Sequence, residues 1–266
     1  MNNNESKNPT VLKFEFPQVV NEAILPLAKS IGITLSHGWE GLTMGLETWY
    51  GKKKIEHDQN LFLYKDEIQK NMSAIPEENL QEPKMNILGP SLEASKFYFE
   101  EPQYREMFAK LISASFDKQK NEIIHPYFVD AIKQLKPIDA YFLSLFKKNL
   151  SLPVVSYVYK LNNQKGSSTA YPYVYLEENK RQSPDYFSSS IVNIQRLSFI
   201  SVDFTKWILD DSKYDVFRKD PVFYSLKNVT TESFRANPNA HYKDFDLIKG
   251  VMTLTPLGID FLNICF

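Results

Sequence analysis

The sequence contains one cysteine, Cys265, and this scarcity excludes two classes of protein. A single cysteine cannot form an internal disulfide, so the chain lacks a disulfide framework and suits a reducing compartment. It cannot form a cysteine-rich zinc site either, and the four histidines show no metal-ligand spacing. No metal or other cofactor is therefore expected. The apolar position of Cys265 beside Phe266 indicates a packed thiol rather than a catalytic one.

A surplus of positive charge and a long apolar run are also missing. The formal net charge is −1, which provides no global field for attracting nucleic acid or anionic lipid. No uncharged apolar run reaches the roughly 18 residues of a conventional membrane span. Residues 1–16 begin with a polar stretch unlike a signal peptide, and we expect a flexible lead-in there. These features predict a cytoplasmic protein.

Recognisable catalytic motifs are absent as well. The sequence has neither a glycine-rich phosphate loop nor the Gly-x-Ser-x-Gly turn of a serine hydrolase. His57-Asp58 is an adjacent pair without supporting ligands, and it is assigned to a solvated helix face. The sequence thus predicts a protein that is not an enzyme.

Residues 17–149 have the periodicity of a helical domain. Apolar residues recur there at three- and four-residue intervals, with breaks near glycine and proline. Because proline fits the first turn of a helix, four helices are expected to open at the prolines. These are Pro90, Pro102, Pro126 and Pro137. Helices at such short spacing favour a bundle.

Residues 150–266 read as an α+β domain that resembles a winged helix. Strands are expected at 152–161, 171–176, 201–209 and 248–254, and helices from 183 and at 257–266. Residues 210–245 mix charges, proline and asparagine, and irregular structure is expected there. The helix at 188–199 would be the recognition helix of a winged-helix module, but it carries Arg196 as its only cation. Because affinity for nucleic acid rises with the number of phosphate contacts, this helix would bind poorly alone.

Four blocks resemble the abortive infection alpha family. They are Leu88-Gly-Pro-Ser-Leu-Glu-Ala94, Glu101-Pro-Gln-Tyr-Arg-Glu-Met-Phe-Ala-Lys-Leu-Ile112, His125-Pro-Tyr-Phe-Val-Asp-Ala-Ile-Lys-Gln-Leu-Lys-Pro-Ile-Asp-Ala140 and Leu254-Thr-Pro-Leu-Gly-Ile-Asp-Phe-Leu262. The segment Pro26-Leu-Ala-Lys-Ser-Ile-Gly32 is similar to the opening helix of the family. The resemblance covers about residues 20–266, apart from 205–245. The motif positions whose roles are unknown are Glu93, Arg105, Glu106, His125, Pro126, Pro137, Asp139, Thr255 and Gly258.

The resemblance implies a bacterial protein of antiviral defence, acting by an abortive-infection route, and it implies no established catalytic residues. With no catalytic motif found, protein–protein contacts are the expected mode of action, with a protein partner or a homo-oligomer. Two alternatives stay open: a winged-helix-like nucleic-acid binder, and an effector acting on membranes through residues 20–50. For His125 the choice lies between capping a helix and transferring a proton.

Overall fold

The computed structural model describes residues 22, 25 and 26, then 56–162 and 166–266. The predicted lead-in 1–16, and almost all of the segment 20–50 that the membrane alternative requires, lie outside the described residues.

The described chain is mixed α+β, as the sequence predicts. It falls into two compact units. Unit 1 runs to Lys133 and includes Ile264–Phe266, and unit 2 is Gln134–Asn263. The sequence predicts two domains that meet at 149/150, and that each of them folds independently stays a prediction.

Unit 1 is built from helices. They are α1 (Glu56–Ser73), α2 (Met85–Ser95), α3 (Pro102–Ala114) and α4 (Tyr127–Gln134), whose last residue is grouped with unit 2. Helix α1 buries the apolar stripe Leu61, Tyr64, Ile68 and Met72, in agreement with the three- and four-residue spacing of apolar residues that predicts helices in this part of the sequence. Short 3₁₀ turns at Glu77–Asn79 and Lys118–Lys120 separate the helices.

Helix α2 differs from the prediction at its start. The sequence predicts that Pro90 opens a helix, but α2 begins at Met85 and Pro90 lies inside it. Proline has no N–H to give to the carbonyl four residues earlier, so the Asn86 carbonyl loses its usual helical donor. The carbonyl of the following residue, Ile87, accepts a hydrogen bond from the Ser91 hydroxyl at 2.6 Å. The helix continues because its following residues Leu92, Ala94 and Ser95 are buried.

Unit 2 is organised around a four-stranded antiparallel sheet. Its strands are β1 (Ser151–Leu161), β2 (Ser167–Val174), β3 (Ile200–Asp203) and β4 (Tyr242–Leu254), in the spatial order β2-β1-β4-β3. Strands β1 and β4 form the long central pair, in register from Ser151 opposite Thr253 to Lys160 opposite Asp244. Helices α5 (Pro137–Ser144), α6 (Ser188–Arg196), α7 (Asp215–Arg218), α8 (Pro221–Ala236) and α9 (Pro256–Cys265) complete the unit, with the end of α9 grouped with unit 1.

Strand β1 is buried on both faces. Val155 and Tyr157 point into a core with Tyr214, Phe217 and Phe223, which come from the segment that carries α7 and α8. Val154 and Val158, on the opposite face of β1, are buried as well. Successive side chains of a strand point to opposite faces, so this pattern identifies β1 as a central strand covered on both sides.

The segment 210–245 corrects the expectation of irregular structure. It contains α7, the 16-residue helix α8 and the first residues of β4. Asp220 caps α8 by accepting from the Val222 N–H at 3.2 Å, and Pro221 takes the first helical position. The prediction of irregular structure is wrong because it relied on the mixed charges of this segment. The Asp-Pro start and the spacing of Phe223, Leu226 and Thr230 are typical of a helix.

The winged-helix-like arrangement is not confirmed. Helix α6 is followed by β3, as that arrangement requires, and β3 pairs with β4. However, 38 residues with two helices lie between these strands, where a wing would have a short hairpin turn. The observed hairpin joins β1 and β2, before α6 in the chain.

Candidate binding groove

An open groove of about 670 Å³ lies between α2 and α4 in unit 1. Its lining comes from α2, from the turn that follows α2, from Pro126 and from α4. The lining residues are Asn86, Pro90, Glu93, Ala94, Phe97, Tyr98, Pro126, Val129, Asp130 and Lys133. Clefts of this size with apolar walls and a few polar groups are typical binding sites.

The spacing along each helix explains why these residues meet. Pro90 and Ala94 are one turn apart on α2, and the chain then turns through Phe97 and Tyr98. On the other side, Pro126 precedes α4 and Val129 lies one turn further. Residues three and four positions apart share a helix face, so each wall is one apolar stripe. The Phe97 side chain is 58% exposed, which leaves an aromatic ring at the mouth of the groove.

Carboxylates on both walls form the polar rim. Glu93 of α2 pairs with Lys96, and Asp130 of α4 pairs with Lys133 at 2.7 Å. The carboxylates are the more exposed partners, at 61% for Glu93 and 60% for Asp130, against 8% and 39% for the two lysines. The rim therefore exposes more of its carboxylates than of the lysines that pair with them.

His125 caps a helix. Its Nδ1 accepts a hydrogen bond from the Tyr127 N–H at 3.0 Å, at the start of α4, and the side chain is exposed. The Phe128 N–H donates to the His125 carbonyl at 3.0 Å, so this residue orders the first turn in two ways. The geometry corresponds to the capping alternative and places Pro126 at the groove wall.

Arg105 and Glu106 occupy different faces of α3, one buried and one exposed. Arg105 is buried, and its guanidinium donates to Glu67 Oε1 at 2.9 Å, to Asn60 Oδ1 at 3.2 Å and to the Phe99 carbonyl at 3.3 Å. It therefore fastens α3 to α1 and to the turn that leads into α3. Glu106 is exposed and pairs with Lys110, which also donates to the Phe266 carbonyl.

Pro137 and Asp139 organise the start of α5. Pro137 occupies the first helical position, and Asp139 accepts from the Lys136 N–H at 2.9 Å. The same carboxylate oxygen accepts from the Asn193 side-chain amide at 2.7 Å, which joins α5 to α6. Asp139 is only 2% exposed, and both of its partners are donors within unit 2. Its arrangement is therefore that of a buried structural cap.

Thr255 and Gly258 attach the start of α9 to the end of α6. The Thr255 hydroxyl donates to the Ser198 carbonyl at 2.6 Å and accepts from the Gly258 N–H at 3.0 Å. A Cβ atom on Gly258 would lie 2.0 Å from the Phe199 carbonyl oxygen, so this close approach requires glycine. Phe199 and Phe261 stack beside it with ring centroids 4.2 Å apart.

Two titratable groups outside the groove belong to packed regions. Burial raises the pKa of the Cys265 thiol, which disfavours the nucleophilic thiolate and agrees with the predicted packing role. Burial also raises the pKa of Tyr157, and Asp220 adds to this effect as the acceptor of its hydroxyl at 3.0 Å. Neither group faces the groove.

The sequence motifs reach the groove only in part. Glu93 and Pro126 line it, whereas the other motif positions serve caps, helix contacts or the surface. Phe97, Tyr98 and Val129 are groove residues that the sequence reasoning missed. A signal for Val129 is its three-residue spacing from Pro126, but the placement of α2 and α4 around one groove is a tertiary arrangement without a local signature.

Two further observations concern the described part of the chain. Within residues 56–162 and 166–266, no helix combines the length and apolar character needed to cross a membrane. The same residues contain no group of three or more histidine, cysteine, aspartate or glutamate side chains arranged to hold a metal ion.

Comparison with known proteins places this chain in a family. A search of curated proteins gave no match. A solved structure of an uncharacterised protein from the marine bacterium Alcanivorax borkumensis SK2 is similar at 10% identity and a TM-score of 0.30, covering 55% of this chain and 94% of the other. The family model of abortive infection alpha matches residues 56–265. The chain therefore belongs to the abortive infection alpha family.

Proposed function

We propose that this protein defends a bacterium against phage by an abortive-infection route, and that it acts through protein–protein contacts rather than by catalysis. Family membership over residues 56–265 supports the defence role. The groove between α2 and α4 is the observation that carries the proposed mode of action. It combines apolar walls with few polar groups, which suits the binding of an apolar segment.

The groove is favoured over the other motif regions because Glu93, Pro126 and Phe97 are exposed to solvent, whereas Arg105 and Asp139 are buried. Arg105, Asp139 and Thr255 each have side-chain hydrogen bonds that hold helices together. Glu93, Pro126 and Phe97 instead border open space, and Phe97 offers a large aromatic surface. Buried aromatic anchors provide much of the binding energy at protein interfaces, so Phe97 is the proposed anchor of the contact.

Nucleic-acid binding is the weaker alternative. A helix followed by a paired strand, α6 and β3, supports a winged-helix-like role. The only cation of α6 is already engaged, because the Arg196 guanidinium donates to Asn193 Oδ1 at 2.8 Å and to Gln134 Oε1 at 2.9 Å. Gel shifts at low salt test this alternative, since phosphate-driven binding is strongest there. A shift that disappears with rising salt would favour it.

The defence role is tested by inducible expression of the full chain against an empty vector, with a panel of phages. The proposal expects fewer plaques for at least some of the phages and slower growth of the infected host. A membrane-potential dye and a measurement of nucleic-acid integrity, read in the same cultures, separate the routes. Equal plaque counts across a broad panel would contradict the defence role.

Protection with intact membrane potential and intact nucleic acid is the result expected for a protein target. Protection with loss of potential would instead favour the membrane route through residues 20–50. Degraded nucleic acid would contradict the non-enzymatic proposal and indicate a nuclease activity.

A further inference from the structure

We infer that the groove binds one amphipathic helix of a partner protein, with an apolar stripe in the groove and lysine or arginine beside that stripe. This inference rests on the proposed mode of action through protein contacts and specifies the chemistry of the partner. It follows from the walls of the groove, from the exposure of its carboxylates and from the break in the hydrogen-bond pattern of α2.

The walls favour a helix as the occupant. Both walls are helical, and backbone groups inside a helix are already hydrogen-bonded to one another. The groove therefore has no strand edge that an extended peptide could join. Recognition must come from side chains, which is the mode by which an amphipathic helix lies in an apolar groove. Pro90, Ala94 and Val129 form the apolar walls, and Phe97 extends them at the mouth.

The rim favours a cationic partner. The Glu93 and Asp130 carboxylates lie on opposite walls and are more exposed than the lysines that pair with them. The Asp130–Lys133 pair is exposed on both sides, and such pairs contribute little to stability, so Asp130 can exchange its partner at small cost. Lys96 is buried, so Glu93 would keep this ion pair and add a partner through its exposed side. The surrounding residues 56–133 contain fourteen acidic and nine basic side chains, a formal charge of −5. This surplus attracts a basic segment and raises its association rate.

Pro90 gives a second argument for a partner that carries hydrogen-bond donors. Because Pro90 cannot donate to the Asn86 carbonyl, this oxygen lacks its helical partner, and both residues line the groove. Lysine and arginine are pure donors, so either can use a carbonyl together with a nearby carboxylate. An acidic partner would face repulsion at the rim and would leave this acceptor unused.

The test uses model peptides and the full chain. The probe is a fluorescently labelled peptide of leucine and lysine with leucines at helical spacing. Its comparisons are a leucine–glutamate peptide with the same spacing and a leucine–lysine peptide of scrambled order. Fluorescence anisotropy measures the Kd of each peptide, and sedimentation velocity measures self-association of the free protein.

The variants are matched pairs. Phe97→Ala removes the aromatic ring at the groove, and Phe62→Ala removes a ring of nearly equal exposure, 56% against 58%, outside the lining. The double variant Glu93→Lys with Asp130→Lys reverses the rim, and Glu122→Lys changes an exposed carboxylate elsewhere in unit 1. The substituted side chains are exposed, but Glu93→Lys also removes the partner of the buried Lys96, so only variants with the circular dichroism spectrum of the wild type are compared.

The expected result is that the helical leucine–lysine peptide binds best and that its affinity falls as salt rises. Phe97→Ala and the rim reversal should each weaken binding about tenfold, whereas the control variants should stay within about twofold. Equal binding of all three peptides, or equal binding to Phe97→Ala and Phe62→Ala, would overturn the inference. Self-association that Phe97→Ala abolishes would also overturn it, because a second copy would then be the occupant.

The plaque assay distinguishes this failure from failure of the proposed function. Loss of phage protection in Phe97→Ala without any peptide binding would overturn the helix chemistry and leave the groove as the defence surface. Peptide binding at the groove by a protein that never protects against phage would support the recognition chemistry and contradict the defence role.

Discussion

The two units use their motif residues differently. In unit 2, Asp139, Thr255 and Gly258 lie in close contacts that hold α5, α6 and α9 in place. In unit 1, Arg105 has such a role, whereas Glu93 and Pro126 border an open groove. A sequence motif can therefore mark either a structural joint or a surface, and the two are distinguished by whether the side chain is buried or exposed. This difference locates the proposed function in unit 1.

Charge separates the units in the same way. Residues 56–133 have a formal charge of −5, while residues 134–263 have sixteen basic and thirteen acidic side chains, a formal charge of +3. The near-neutral charge of the whole chain conceals this asymmetry. Whole-chain composition is thus a poor guide to the partners of one unit, because an interface responds to the local field.

The substitution Gly258→Ala should destabilise unit 2 more than any other change considered. A Cβ atom there would overlap the Phe199 carbonyl oxygen at 2.0 Å, so α9 must move from its attachment at Thr255. A loss of about 4 kcal/mol in the free energy of unfolding is expected, at the upper end of single substitutions. Hydrogen exchange read by mass spectrometry should show larger loss of protection in 134–263 than in 56–133. Asn263→Ala, at an exposed position of α9, is the control.

The substitution Arg105→Ala should instead weaken unit 1. It leaves Glu67 without its cation at 2.9 Å and removes the donors to Asn60 and the Phe99 carbonyl, at an expected cost of about 3 kcal/mol. Cys265 supplies the readout, because this buried thiol should react with a thiol reagent only when its surroundings open. Faster labelling is expected in Arg105→Ala, with partial recovery on adding Glu67→Gln. An unchanged labelling rate would contradict the role of Arg105.

Asp139→Ala tests the structural role of a motif residue in unit 2 at a smaller scale. The Lys136 N–H loses its acceptor, and the Asn193 amide keeps the Gln134 carbonyl at 2.9 Å but loses Asp139, which should lower the free energy of unfolding by about 2 kcal/mol. Chemical denaturation measures the change. Asp139→Asn keeps an acceptor oxygen and should lose less. If phage protection were lost while stability stayed the same, Asp139 would have a functional role and the comparison of the units would fail.

High pH should lower the stability of unit 2 by a small amount. Burial raises the pKa of Tyr175 from 10.0 to about 12, and Glu177 contributes to the increase. Because the folded pKa lies above the unfolded one, the contribution of Tyr175 is complete below pH 10 and is lost as the pH rises towards 12. Tyr175→Phe should reduce this loss, as measured by circular dichroism and tyrosinate absorbance against pH. An equal decline in both proteins would exclude Tyr175 as a cause.

Local signals in the sequence predict much of the helical part. Proline at Pro102 and Pro137 marks the helix starts that the structure shows, and the spacing of Leu61, Tyr64 and Ile68 predicts the buried face of α1. Proline alone cannot distinguish the first position of a helix from an interior one, so the prediction is wrong at Pro90. Residues 87–89 are buried in the helix before Pro90, and this burial is a tertiary property that the local sequence does not show.

The sheet and the groove lie beyond such local signals. Strand β1 could be recognised from its valines and tyrosines, but its pairing with β4 joins residues about ninety positions apart. The charges of 210–245 conceal α8, although Asp220-Pro221 is a helix start. The groove depends on the meeting of α2 and α4, so only its motif residues Glu93 and Pro126 could be identified in advance.

The central claim is that the groove of unit 1 carries the defence function, and plating efficiency of a phage on cells expressing matched variants tests it most directly. The variants are Phe97→Ala and Phe62→Ala, expressed at equal levels and compared with the wild-type chain. The account predicts that Phe62→Ala protects like the wild type and that Phe97→Ala loses protection while remaining folded. Full protection by a folded Phe97→Ala variant would contradict the claim.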